Sequence, residues 1–524
     1  MKQAYLWTLA LGVALSLCGC DSYLDRLPDN RVEVDTAEDI RKLLVNAYPT
    51  ASPAILCELS SDNTDDIGAE NPYFSDFSRE VTYWQDPLEY GDNDGLAAIW
   101  QAHYKAIGHA NLALEHIARI GERKDTKPLK AEALLARAWG HFVLVNIFAP
   151  HYNAQTSGQD LGLPYLDASE RELNPQYTRS SVAEVYRRIA QDIEEALPLL
   201  DDNSYRKPKY HFNRRAAYAF AARFYLYYEQ WERALACANE VLGSTQPVSS
   251  ELLRDWTAFR TLAADNDSQA KEYSRVDAPS NLMLQTVKSS AYRVLNLGSN
   301  LLRFSHSKRN ATEETVACSS LWGNSYDAYK FRLIVADRSD LYNRVSFPKY
   351  PYFSSSSSST VAVPFTTEET LLVRAEALAL LNRYDEAMLD VNALSNAVLN
   401  ATNTTGGKTT FTLSEVEGFY SSLAYASSEA CTPKKRLNPK FAISAGGQES
   451  LLHYILQWRR IITLHEGLRW FDVRRYGIVV HRYQHDRTNK HISTIEATLG
   501  SEDPRRAIQL PIEVRSSGMQ ANPR

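Results

Sequence analysis

Few residues of this chain stand at spacings that could do covalent chemistry. Gly406-Gly407-Lys408-Thr409-Thr410 comes nearest to a phosphate loop, but such a loop needs a glycine five residues before its Gly-Lys pair, and Thr402 stands there. The stretch reads as a turn. Asp92-Asn93-Asp94-Gly95 has part of the acid spacing of a calcium loop, yet Tyr90 occupies the place of the first ligand. Asp94 is read instead as the cap of a helix. His109 and His116 lie seven apart on one predicted helix face and read as packing or surface residues. Paired acids such as Glu194 and Glu195 are ordinary on helix surfaces, and neither HExxH nor GxSxG occurs in the sequence. The expectation is a protein that is not an enzyme, with no cofactor and no metal site.

Binding without turnover asks for other residues. A sugar ring offers C–H faces to aromatic rings and hydroxyls to hydrogen-bonding side chains. Two loop-like stretches supply both. Asp62-Asn63-Thr64-Asp65-Asp66 leads into a segment with Tyr73, Phe74, Phe77, Tyr83 and Trp84, and a second stretch holds Trp322, Asn324, Tyr326 and Tyr329. The ligand candidates are Tyr73, Phe74, Tyr83, Trp84, Trp322, Asn324, Tyr326 and Tyr329. The acids of 62–66, if exposed, would instead suit a basic peptide. Arg469-Trp470-Phe471-Asp472, which could pass for a ligand clamp, is read as packed core with an internal Arg–Asp interaction.

The elements that must position these residues belong to a globular chain of 524 residues, 44% hydrophobic and 23% charged. Its net charge of −6 gives no basic field for nucleic acid. Aromatics reach 11%, with 30 Tyr.

Residues 1–19 have the layout of an export signal: Lys2, an apolar run from Tyr5 to Leu17, and a small-residue exit. Leu17-Cys18-Gly19-Cys20 resembles a bacterial lipobox, which implies cleavage before Cys20 and acylation of that residue, anchoring the chain in membrane lipid. Cys57, Cys237, Cys318 and Cys431 are too widely spaced for a CxxC pair or a zinc pattern.

Apolar residues at helical spacing predict long helices over 95–121, 128–150 and 181–200, the last capped by Ser180 or Ser181. Helix pairs follow, bent near Gln230 and at Asn382-Arg383. YYEQWERALACANEVL and ALLNRYDEAMLDVNAL share a pattern similar to tetratricopeptide repeats. About 130 residues separate the two, which argues against a continuous solenoid. The spacer has weak periodicity and a Ser354–Ser359 run, and residues 401–448 also look loop-like.

The segment LHYILQWRRIITLHEGLRWFDVRRYG resembles the closing motif of the SusD/RagB family, with Arg459, Arg460, Glu466, Gly467, Arg469, Trp470, Phe471, Asp472, Arg475 and Gly477 in register. The family often has acids where this chain has Trp458 and Ile462. Blocks similar to the family's helices precede it in order, among them Trp100, Tyr104, Ile107 and Asn111, then KAEALLARAWGHFVLVNIFA with GLPYL. The resemblance implies a mainly α fold, SusD-like, in which tetratricopeptide-like hairpins support a loop-rich ligand-binding region. It implies one domain over 20–524, with scaffold at about 94–245 and 365–478 and a variable insert at about 246–364. It further implies a lipid-anchored place on the cell outer membrane, facing outward, where the protein passes oligosaccharide or polysaccharide to a SusC-like TonB-dependent barrel. Peptide or another nutrient as cargo, and an adaptor without small ligand, are the alternatives.

Overall fold

The computed structural model describes residues 34–524 except 70, 72, 89–91, 173–174, 264, 297–301, 339–341, 354–357 and 487–490. The signal segment 1–19, Cys20 and most of the Ser354–Ser359 run lie outside the described residues.

The chain is mainly helical. Ten helices form the scaffold: α1 (Leu96–Ile120), α2 (Lys127–Phe148), α3 (Val182–Ala196), α4 (Arg214–Tyr227), α5 (Trp231–Leu242), α6 (Thr367–Leu380), α7 (Tyr384–Val398), α8 (Leu413–Ser422), α9 (Gly447–Ile462) and α10 (Leu468–Arg475). The predicted stripe of α1 does face inward, with Ile99, Trp100, Ile107 and Ile117 buried. Helix α2 is buried on nearly every side, as a helix apolar all round must be. It touches α1 and α3. Arg137 of α2 forks onto Asp192 of α3, Nε to Oδ2 at 2.7 Å and Nη2 to Oδ1 at 2.6 Å. Ser181, one of the two residues expected to cap α3, accepts from the Glu184 N–H.

The predicted bends are where the structure turns. Asn382 adopts φ +61 between α6 and α7, a conformation asparagine tolerates better than most residues. The two similar hairpins, far apart in sequence, are neighbours in space, because α5 packs on α6. Arg374 of α6 fastens the junction: it binds Asp390 of α7 (2.7 and 2.6 Å) and donates to the Gly243 carbonyl at the end of α5 (2.7 Å). Residues 246–364 therefore lie in sequence between two helix pairs that pack on one another.

Eight strands occur among the described residues: β1 (Asp65–Asp66), β2 (Asn281–Lys288), β3 (Phe304–Ser305), β4 (Ile334–Arg338), β5 (Tyr342–Ser346), β6 (Ser359–Thr366), β7 (Val480–Asp486) and β8 (His491–Leu499). β2 and β6 pair antiparallel and close the insert at its base, β6 running directly into α6. β4 and β5 form a hairpin, and the remaining strands make one sheet in the order β3-β1-β7-β8.

Three local expectations are corrected. Asp94 does not cap α1, whose N-cap is Gly95; its buried carboxylate accepts from Ser289 Oγ (2.5 Å) and the Ser290 N–H (2.7 Å). The 401–448 region contains α8, started by a capping box of Thr412 and Glu415. Trp470 and Phe471 are core, but the partner of Arg469 is Asp62, 407 positions away, while Asp472 accepts from Arg459 Nε at 3.1 Å.

Candidate functional site

The short helix Ala54–Ser60 ends at Ser61, and the next five residues turn inward. Each acid of 62–66 is claimed by an arginine from a distant segment. Asp62 accepts Arg469 Nε at 2.7 Å and Nη2 at 2.8 Å, with Arg460 at 3.5 Å. Asp65 takes both Arg309 Nη2 and Nε (2.9 and 3.1 Å), and Asp66 takes Arg303 Nε and Nη2, both at 2.7 Å. Burial alone would push Asp62 up, but the charges of Arg460 and Arg469 outweigh it and hold its carboxyl well below the usual range. All five residues are buried. The expectation of an exposed acidic loop is thereby overturned: the run ties together the fold instead of facing a ligand.

What does reach the surface begins at Tyr73. The backbone there runs beside Leu302, and the Arg303 N–H donates to the Tyr73 carbonyl at 3.1 Å. Tyr73 is 57% exposed and Phe74 45%. Phe74 stands edge-on to buried Phe304 (6.1 Å, 88°), and the Arg303 guanidinium lies 5.4 Å from the Phe74 ring centre. Helix Asp76–Thr82, opened by a capping box of Ser75 and Ser78, sets the far side of this shelf. At its end Tyr83, half-buried, meets Phe304 edge-on and donates its hydroxyl to Asp66 Oδ2 at 2.7 Å. Burial and the Asp66 carboxylate push the Tyr83 phenol up, so it stays a neutral donor. From β7 and β8, Gln484 with its amide oriented to donate to Glu496 (2.6 Å) accepts from Arg303 Nη2 at 3.3 Å. The exposed Phe74 ring thus stands beside Arg303, which is linked through the Gln484 amide to the exposed carboxylate of Glu496, and exposed Tyr73 precedes it in the chain.

Trp84 is not on that shelf. It takes φ +53 after the helix and buries its ring, Nε1 donating to the Ser60 carbonyl at 2.8 Å under the Arg482 guanidinium. The second predicted stretch is mostly core as well. Trp322 is 1% exposed, stacked on Trp458 at 4.5 Å and 27°, and donates Nε1 to the Tyr329 hydroxyl. Tyr329 stacks on Phe331, which stacks on Phe347. Trp458, where the resembled family often has an acid, is the partner that makes Trp322 internal. Asn324 is exposed and Tyr326 half-buried; their segment packs against 401–407, the Thr405 N–H donating to the Trp322 carbonyl at 3.1 Å. Trp84, Trp322 and Tyr329 are therefore withdrawn as ligand contacts, because rings closed into a core have no face to offer.

Sequence reading missed Arg303, just before the two-residue β3, and Gln484 and Glu496 of the C-terminal strands β7 and β8. It also missed a second surface group, the Tyr292–Tyr352 pair (4.7 Å, 30°) next to Phe353, which is 55% exposed. Two aromatics far apart in sequence, Tyr292 on the short helix Ala291–Val294 and Tyr352 on a loop, give no sequence signal until β2 and β6 are paired.

The structure is thus a helical scaffold with aromatic and polar side chains on its loops, and no described helix is long and apolar enough to cross a membrane. Residues 22–226 match the family model SusD-like_3, described as starch-binding associating with outer membrane. SusD-like protein P38 of Formosa agariphila is 26% identical over 254 residues, a match covering 46% of this chain and only 45% of that relative. SusD-like protein P2 of the same organism is 24% identical over 440 residues, 74% of this chain and 72% of the relative. A SusD-like carbohydrate binding protein of Bacteroides vulgatus superposes with TM-score 0.64 at 16% identity, covering 92% of this chain and 96% of its own. A putative sugar binding protein from the same species gives TM-score 0.65 at 19% identity, over 94% and 99%. The chain therefore has the fold of SusD-like proteins, and its residues 22–226 match that family's model.

Proposed function

We propose that this protein is a non-catalytic glycan-binding lipoprotein of the outer-membrane surface, held there by lipid on Cys20 and delivering captured saccharide to a SusC-like TonB-dependent barrel. The observation that supports glycan as the ligand is the shelf of exposed Tyr73 and Phe74, where the Phe74 ring adjoins Arg303, linked through Gln484 to Glu496. Rings for the C–H faces and fixed polar groups for the hydroxyls are what saccharide recognition requires. Starch-binding in the family description and the carbohydrate-binding names of similar structures agree with that chemistry. The basic-peptide alternative loses its motive, since Asp62, Asp65 and Asp66 are each neutralised by an internal arginine.

The test is calorimetric titration of the chain from residue 21 onward against a polysaccharide panel. One glycan class should bind, and the Tyr73→Ala/Phe74→Ala double variant should weaken it by about 1–3 kcal/mol, at about 0.5–1.5 kcal/mol per ring. Undiminished binding by a folded double variant would remove the shelf from the site, and silence across the panel would remove the glycan reading.

A further inference from the structure

On the far side of β1 and β7 from the shelf lies a polar cavity of about 160 Å³, lined among others by Arg309, Glu314, Lys435, Arg436, His481 and Tyr483. A 150 Å³ cavity is large enough to take benzene, so this one has room for a six-membered ring. One wall is the Tyr483 ring, fixed by its hydroxyl to the Ser427 carbonyl (3.1 Å) and covered by the Arg309 guanidinium at 4.4 Å.

The charges around the cavity do not balance. Arg309 is spent on Asp65 and Glu314, at 2.9 and 2.6 Å, and touches Glu313 at 3.6 Å; Arg469 is spent on Asp62. Glu314 then faces Arg460 at 3.2 Å, which also lies 3.5 Å from Asp62, and Lys435 at 2.5 Å. Burial would raise the Glu314 carboxyl, yet Lys435, Arg309 and Arg460 together hold it well below the usual range. Arg436, next in the chain, is exposed; its guanidinium lies over Tyr425 at 4.5 Å and makes no ion pair among the described residues. Five cationic side chains thus meet four carboxylates, and the two with donors to spare, Lys435 and Arg436, are consecutive. His481 has its Nδ1 engaged by Thr498 Oγ1 at 3.0 Å, which leaves Nε2 for a hydroxyl.

We propose that this cavity binds the carboxylate-bearing ring of an acidic sugar, a hexuronate, with Lys435 and Arg436 on the carboxylate and His481 and Ser427 on ring hydroxyls. A paired cation with one uncommitted neighbour recognises a planar carboxylate, while the tyrosine wall and neutral donors suit the rest of a pyranose. The inference rests on the glycan reading and deepens it by assigning a second, charge-selective subsite apart from Tyr73 and Phe74.

The experiment titrates the chain from residue 21 onward with tetramers of galacturonic, glucuronic and mannuronic acid and with the matching neutral tetramers. One uronate should bind at least about tenfold more tightly than its neutral counterpart, and the advantage should shrink with added salt. Arg436→Gln and Lys435→Gln should cut that advantage to about threefold or less while leaving neutral binding unchanged. Arg436 is exposed, so its variant tests the idea even where loss of Lys435 disturbs Glu314. The Tyr73→Ala/Phe74→Ala variant should lose neutral binding and keep that of the free uronic acid monomer. Neutral glycan binding with no uronate preference would overturn this inference and leave the function standing. No saccharide binding of any kind would overturn both. Displacement of the uronate by acetate or phosphate at equal concentration would reduce the cavity to a general anion site and also overturn it.

Discussion

Replacing Asp62 with asparagine removes one charge and almost no volume from the centre of the arginine–carboxylate network. The wild-type carboxylate is 6% exposed, accepts two bonds from Arg469 at 2.7 and 2.8 Å and faces Arg460 at 3.5 Å. Asparagine keeps one acceptor but turns an N–H₂ toward a guanidinium, so one bond is lost and the other loses its charge assistance. Hydrogen bonds to charged groups contribute about 1.5–3 kcal/mol each, and stripping a buried ion of its partner costs about 3–5 kcal/mol. The expected loss is about 3–5 kcal/mol, measured by urea unfolding at pH 7 followed by tryptophan fluorescence. Acid should narrow the gap between wild type and variant. The folded Asp62 carboxyl is held below its unfolded value of about 3.9, so its stabilisation is complete above that pH and is given up as pH falls beneath it. A loss under about 1 kcal/mol, the worth of a surface pair, would refute the reasoning. So would a variant of full stability that had lost its glycan, because Asp62 would then be a ligand contact.

Trp322→Ala should cost about 3–5 kcal/mol by emptying the space against Trp458, and should leave glycan affinity unchanged in the folded protein; a selective loss of affinity would return Trp322 to the site. Gly467→Ala should destabilise by more than the about 1–2 kcal/mol of a left-handed alanine, because a Cβ at φ +76 would meet the Cys57 Cβ at 2.9 Å and the Ala54 Cα at 3.0 Å. Gly406→Ala, at φ +64 and ψ 17 with nothing within 4 Å, isolates the backbone share, and equal melting shifts for the two would dismiss the close approach. Cys20→Ser should move the protein from the membrane pellet to the soluble fraction and abolish palmitate labelling; continued pelleting would refute anchorage at that residue.

The scaffold was legible because periodicity is a local signal. Ile99, Ile107 and Ile117 announce the inner face of α1, and Asn382 announces the bend after α6, without knowledge of any partner. The candidate site was legible only where exposure agrees with composition, at Tyr73 and Phe74. Trp322 looks identical in sequence to a ligand-stacking tryptophan, and what decides its burial is Trp458, on another helix. The acids of 62–66 misled for the same reason: a run of aspartates reads as solvated unless the arginines at 303, 309 and 469 are known to converge on it. Two-residue strands such as β1 and β3 have no period to detect, so Arg303 could not be placed beside Phe74 from sequence.

The same network sets the order in which the growing chain can acquire its shape. Asp62 waits for Arg469, Asn63 for Arg460, and the carbonyls of Leu59, Ser61 and Thr64 for the guanidinium of Arg482, all about 400 positions downstream. Until that last stretch has been made, Asp62 has no arginine and the four-stranded sheet has no β7, while Asp65 and Asp66 can already meet Arg309 and Arg303. Contacts this distant in sequence close late and slowly. A nascent chain so built closes this network only after residues 460–482 have been made, so a truncation before them would remove a tie at the centre of the fold and not only a tail.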